Sequence, residues 1–117
     1  MRLDDDTLRF SPTDLAAFSG CRQRTILDRL RAHGEASYKV YEDPLLDLLK
    51  AKGIEHEEAY LDQLRAQGNT VLAFDPLPKD ERTPAGHTRR ADETRAAMAA
   101  GADVIYQGTL YDGRWLG

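Results

Sequence analysis

Residues 101–117 read Gly-Ala-Asp-Val-Ile-Tyr-Gln-Gly-Thr-Leu-Tyr-Asp-Gly-Arg-Trp-Leu-Gly, and this stretch decides the fold class. Val104-Ile105-Tyr106-Gln107 and Thr109-Leu110-Tyr111 are strand-like runs that lead into Asp112-Gly113, with Arg114-Trp115-Leu116 following. Asp-Gly between such runs signals a tight two-residue turn, because glycine accepts positive φ. A β-hairpin is therefore expected from Val104 to Leu116. Most of the chain upstream has helical periodicity, so the expected class is α/β in the broad sense (α+β), with helices packed on a small mixed sheet that ends in the hairpin. A hairpin with nothing after it keeps an unpaired edge. The 117 residues are accordingly expected to be a single domain, the N-terminal fragment of a larger one.

Immediately upstream, Thr88 to Ala100 is rich in Ala and Arg and should be helical up to Gly101. Residues 75–87 hold three of the five prolines and read as a variable loop, and residues 70–74 read as a strand. Before them lies the clearest helix, with Asp43 as cap, Pro44 in the first turn and Gly68 past the end. Leu46, Leu49, Gly53, His56, Tyr60 and Leu64 recur at steps of three and four, so they are expected on one face, turned toward the hairpin. A glycine inside a helix costs about 1 kcal/mol against alanine, so Gly53 suggests another backbone passing close by. Near the start, Ser11-Pro12-Thr13-Asp14 predicts a capping box with proline in the first turn. An apolar stripe runs from Leu15 and Phe18 to Ile26, Leu27 and Leu30, with Gly20 weakening it and Gly34 stopping it. The pattern predicts two short helices, or one kinked helix, with Cys21 at the joint.

Composition excludes several classes. Hydrophobic residues make up 41%, enough for a modest core, while 31% are charged and the mean hydropathy is -0.59. No apolar run approaches the roughly 18 residues of a membrane span. The acidic start, MRLDDDTLRF, lacks the basic-then-apolar order of a secretory signal. One cysteine, Cys21, cannot form an internal disulfide, so the expected compartment is cytoplasmic. Sixteen Lys and Arg against 20 Asp and Glu give a net charge of -4 and a pI near 5.3, which argues against a polybasic nucleic-acid binder. A nuclease is compatible with that balance, because it needs acidic metal ligands and only a local basic path. Arg22, Arg24, Arg29 and Arg31, opposed by Asp28, form one local basic segment, read either as a solvated helix face or as a phosphate contact.

The chemistry-bearing stretch is Gly53-Ile54-Glu55-His56-Glu57-Glu58. At about 100° per residue, His56 shares a face with Leu49, Gly53 and Tyr60, Glu57 falls near its edge, and Glu55 points away. Spacing alone leaves two readings for His56, a core histidine bonded to backbone or a hard-metal ligand. The zinc-protease helix needs two histidines around a glutamate, and here the order is Glu-His-Glu, so that reading fails. There is no Gly-rich phosphate loop and no Gly-x-Ser-x-Gly elbow. His33 and His87 have no companion at metal-ligand spacing, and a lone Cys21 is more often a small buried hydrophobe than a nucleophile.

Three stretches together resemble the N-terminal part of the RecB-like nucleases of the PD-(D/E)XK superfamily. They are Ser11-x-x-Asp14-Leu15-x-x-Phe18-x-x-Cys21 with Thr25-x-Leu27-Asp28, then Lys52-Gly53-Ile54-Glu55-His56-Glu57, then Thr94 through Ala97-Met98 and residues 100–108 to Trp115-Leu116-Gly117. They cover nearly the whole chain in the family's order. The resemblance implies an incomplete PD-(D/E)XK-type core, a mixed sheet flanked by helices, and cleavage of nucleic-acid phosphodiester bonds, DNA rather than RNA, with Mg or Mn. It implies His56 as a metal ligand, Glu57 as a catalytic or supporting carboxylate, and Arg22, Arg24, Arg29 and Arg31 as nucleic-acid contacts. The family's metal-binding Asp and its Asp/Glu-x-Lys pair come later than Gly117, and neither Asp103 nor Asp112 stands in that role. The fragment alone is therefore expected to be inactive, with the C-terminal remainder of the same protein as its partner, including a ribonuclease H-like or helicase domain in some relatives. Some relatives also bind a [4Fe-4S] cluster through one N-terminal and three C-terminal cysteines. Cys21 stands at the N-terminal position, and the other three are absent from this sequence, so one thiolate alone does not establish a cluster. The alternative reading is a non-catalytic, mostly helical interaction module.

Overall fold

A computed structural model describes residues 1–39 and 41–117. The order is β1 (Arg2–Asp4), β2 (Thr7–Arg9), α1 (Pro12–Gly20), α2 (Arg22–Ala32), α3 (Pro44–Ala66), β3 (Val71–Ala73), a 3-10 turn (Lys79–Glu81), α4 (Pro84–Ala99) and β4 (Val104–Tyr106). The class is mixed α+β as the sequence indicates. The sheet is organised differently. It is split into two two-stranded pairs, an antiparallel β1–β2 and a parallel β3–β4.

The helix signals near the N-terminus act as read. Asp14 accepts from the Ser11 N–H and hydroxyl, both at 2.8 Å, which completes the capping box that starts α1. Cys21 is extended and separates α1 from α2. Burial alone would raise the Asp14 carboxyl, but its bonds to the N-terminal ammonium and Ser11 outweigh it and hold the group below its ordinary value. Asp43 caps α3 by accepting from the Leu45 and Leu46 N–H groups.

The expected single hairpin is replaced by two features. Val104–Tyr106 pairs in parallel with Val71–Ala73, so β3, α4 and β4 form a crossover unit. Gln107, at φ 56, then turns the chain away from the sheet. Leu110 and Gly117 exchange two 2.9 Å backbone bonds around the Asp112–Trp115 turn. That short hairpin packs on the N-terminal segment, with the Phe10 N–H bonded to the Arg114 carbonyl at 2.7 Å and the Leu116 N–H to the Phe10 carbonyl at 2.8 Å. The Phe10 and Trp115 rings lie 5.2 Å apart. Asp112 accepts from the Trp115 and Arg114 N–H groups, which lowers its carboxyl pKa and fixes the turn.

Two segments differ from expectation. The β1–β2 hairpin lies in a stretch not read as strand, although Arg2-Leu3-Asp4 and Thr7-Leu8-Arg9 alternate around Asp5-Asp6. Helix α4 begins at Pro84, inside the stretch 75–87 read as loop, because the Thr83 hydroxyl accepts from the Gly86 N–H and Pro84 presets the first turn.

The interior is small. Helix α4 supplies most of it through His87, Ala91, Thr94 and Ala97, an i, i+4, i+7, i+10 stripe, and among the described residues α3 adds Leu61 as the one buried large apolar side chain. The radius of gyration is 17.0 Å, against about 13 Å for a compact chain of this length. Leu15, Phe18, Ile26 and Leu27 of α1 and α2, and Leu45, Leu46, Leu48 and Leu49 of α3, are all exposed.

Candidate functional site

Helix α3 settles on the β3–β4 pair through a face one residue out of phase with the expected one. Lys50, Gly53, Ile54 and Glu57 line a cleft of about 680 Å³, and Leu61 is buried one turn further on. The opposite wall is Phe74, Asp75 and Tyr106, at the C-terminal ends of the two parallel strands. Clefts at the carboxyl ends of parallel strands are where open α/β sheets hold ligands.

Glu57 is the fixed point of the cleft. Its Oε2 accepts from the Tyr106 hydroxyl at 2.6 Å and joins α3 to β4 across 49 residues of sequence. That bond to Glu57 is the main reason the Tyr106 phenol is pushed above its ordinary pKa, with a weaker opposing contribution from Gln107. The far wall is held from α4. Arg90 donates to the Asp75 carbonyl at 3.0 Å, and its guanidinium lies 5.1 Å from the Phe74 ring centroid. The expectation of a backbone crossing at Gly53 is not met, since a Cβ there would have nothing within 4 Å.

His56 is exposed, not turned to the interior. The cause is the helix phase. With Glu57 on Tyr106 and Leu61 in the core, His56 is rotated about 100° from the sheet and joins the exposed Leu49 and Tyr60. Glu55 is exposed as expected and pairs with Lys52 at 2.6 Å. The short C-terminal hairpin sits beside Pro12 and Ala91, so the structure does not bring it to His56.

Among the described residues no three His, Cys, Asp or Glu side chains converge on one point, and Glu57 already accepts a hydroxyl. A hard cation such as Mg²⁺ takes about six oxygen ligands, so the residues present do not by themselves make the site. Cys21 is exposed between α1 and α2, not a buried hydrophobe, because the extended Cys21 backbone lies outside both helices. Among the described residues it meets none of the donors a cluster needs.

The arginines of α2 do not act as one patch. Arg24 and Arg31 share one face, while Arg22 and Arg29 lie about 180° away. Arg22 stacks 5.5 Å from the Phe18 ring centroid, Arg24 lies 3.7 Å from Asp28, and Arg31 lies 4.5 Å from the Tyr38 ring centroid.

Sequence reasoning missed a buried titratable group away from the cleft. His87 is 5% exposed, its Nε2 has no hydrogen-bond partner, and its ring lies 5.6 Å from that of Tyr111. Burial first, and then the charge of Arg9, lower its pKa. Arg9 is also buried and forms a 3.0 Å ion pair with Asp4. The place of His87 one turn inside a proline-started helix was the available signal. No family model, curated protein or solved structure matches this chain.

Proposed function

We propose that the chain is the N-terminal part of a RecB-like, metal-dependent nuclease that hydrolyses nucleic-acid phosphodiester bonds, in the cytoplasm, on DNA rather than RNA. The observation that carries this reading is the Glu57–Tyr106 bond. The Lys52–Glu57 stretch and the strand of the 94–117 stretch, separate in sequence, meet at one cleft with a carboxylate oriented between them. Glu57 rather than His56 is then the group of this helix placed at the cleft. The 117 residues are expected to lack cleavage on linear and single-stranded DNA with Mg²⁺ or Mn²⁺. The parent protein, carrying the later Asp and Asp/Glu-x-Lys, is expected to cleave and to lose cleavage in Glu57→Gln. Cleavage by the 117 residues that survives repurification and vanishes in Glu57→Ala would refute the partial character of the site, and a parent inert on every nucleic acid would refute the nuclease reading.

The second reading, a helical interaction module, is favoured by one observation. Leu45, Leu48 and Leu49 of α3 are 56–63% exposed, although soluble monomers rarely expose contiguous apolar patches of more than a few hundred Å². In the nuclease reading the same surface is covered by the remainder of the domain. A parent protein that binds a partner through α3 and is indifferent to Glu57→Gln in every cleavage assay would select the module.

A further inference from the structure

A cleft of about 530 Å³ opens between β1 and α2, and its walls are polar. Arg2 enters it from β1, Arg24 and Arg31 from one face of α2, and Tyr38 from the segment after α2. Two carboxylates, Asp14 and Asp28, also line it. Asp14 is engaged by the N-terminal ammonium and Ser11. Asp28 accepts from the Tyr38 hydroxyl at 2.6 Å. Asp4, 3.8 Å from Arg2, is held at 3.0 Å by the buried Arg9. Four cations, the three guanidinium groups and the Met1 ammonium, therefore face two lining carboxylates, Asp14 matched by the Met1 ammonium and Asp28 lying 3.7 Å from Arg24, which leaves Arg2 and Arg31 without a lining carboxylate partner. The excess is positive in a protein whose net charge is -4. Arg31 is braced on the Tyr38 ring, so less freedom is lost when it binds an anion.

We propose that this cleft holds the phosphodiester backbone of a nucleic-acid strand, with Arg2, Arg24 and Arg31 as the phosphate contacts. The inference rests on the nuclease reading for its ligand class and adds Arg2 to the contacts. It also divides the α2 arginines, because Arg22 and Arg29 lie on the far side of the helix and cannot follow the same strand. Three guanidinium contacts to a single strand give a slope of log affinity against log salt of about -2, from roughly -0.7 per phosphate.

The test is anisotropy of a labelled oligothymidylate of about 12 nucleotides, titrated with the whole chain in EDTA at several salt concentrations. The triple variant Arg2→Ala, Arg24→Ala, Arg31→Ala is expected to lose about tenfold or more in affinity at low salt and to flatten the slope by about 2. Arg22→Ala with Arg29→Ala is expected to change neither. Arg24→Lys with Arg31→Lys keeps the slope, which separates lost charge from lost fold. Equal losses from the triple variant and from the Arg22, Arg29 pair, or an unchanged triple variant, would overturn the inference. So would displacement of the oligonucleotide by inorganic phosphate or a nucleoside monophosphate at matched ionic strength and equal phosphate concentration, which would mark a small-phosphate site. An unchanged triple variant beside a parent that still needs Glu57 for cleavage removes the cleft alone. An oligonucleotide that binds neither chain nor parent removes the nuclease reading with it.

Discussion

Replacing Gly108 with alanine should destabilise the chain through one identifiable contact, and removing that contact should restore much of the loss. Gly108 is not in the left-handed region, so alanine is acceptable to its backbone and the cost is steric. A Cβ there would lie 2.9 Å from Thr94 Cγ2 and 2.9 Å from Ile105 Cγ2. Carbon atoms rest at about 3.5–4.0 Å, so each overlap is well over half an ångström. Thr94 cannot easily turn aside, being 1% exposed and held twice. Its hydroxyl donates to the Arg90 carbonyl and accepts from the Thr109 N–H, both at 2.9 Å. Overpacking of this kind costs about 1–3 kcal/mol. Thr94→Ser removes the clashing methyl, keeps the hydroxyl, and should cost about 1 kcal/mol by itself. In the serine background Gly108→Ala meets only the half-buried Ile105, so the coupling in the double-mutant cycle should be about 1 kcal/mol in the rescuing direction. Urea unfolding followed by far-ultraviolet circular dichroism reads it, and an osmolyte such as TMAO keeps the weaker variants in range. Additivity within about 0.3 kcal/mol, or a neutral Gly108→Ala, would refute the packing described for α4 and the segment after β4.

The open helical site at Gly53 should behave in the opposite way, with Gly53→Ala stabilising the chain by about 0.5–1 kcal/mol in the same urea assay, and a loss would show that the position is closed by something the structure does not place there. For His87, whose folded pKa lies below its unfolded value, stability should be fully present above about pH 6.5 and fall as pH drops toward the folded pKa, because the unfolded chain takes up the proton first. Urea midpoints at pH 7.5 and 5.5 should diverge in the parent chain and less so in His87→Gln, and an equal pH dependence in both would assign the loss to other groups.

What was legible in the sequence were the features set by local chemistry. Ser11, Pro12 and Asp14 start α1, Asp43 and Pro44 start α3, and Gly34 and Gly68 take the left-handed conformation past the ends of α2 and α3. Each depends on residues within one helical turn. The strand partners were not legible because they depend on residues far apart. Val104–Tyr106 is followed by a turn signal and reads as the first arm of a hairpin, but the α4 crossover delivers it to Val71–Ala73. Gln107 and Gly108 then divert the chain, since Gly108 must fit against Thr94. The β1–β2 hairpin escaped because its turn residues, Asp5 and Asp6, look like plain acidic surface, although Asp5 sits at φ 51.

The phase of α3 was missed for a reason that bears on function. The helix carries two apolar stripes. One contains Ile54, Leu61 and Leu64 and lies on the side of β3 and β4 with Gly53 and Glu57, buried at Leu61 but open at Ile54, which lines the cleft. The other contains Leu45, Leu49, His56 and Tyr60, is displaced by roughly 100°, and is exposed. Periodicity alone gives both stripes equal standing, and Gly53 lies between them. A helix apolar on most of its circumference is ordinarily buried on more than one side. His56 sits in the middle of the exposed stripe, whereas Glu57 belongs to the cleft. Any metal role for His56 then depends on the surface that covers this stripe, while the orientation of Glu57 is already set within these residues by Tyr106. The two neighbouring residues of one motif thus serve two interfaces of the same helix. That division explains why the nuclease reading and the interaction reading both draw on α3 without competing for the same side chains.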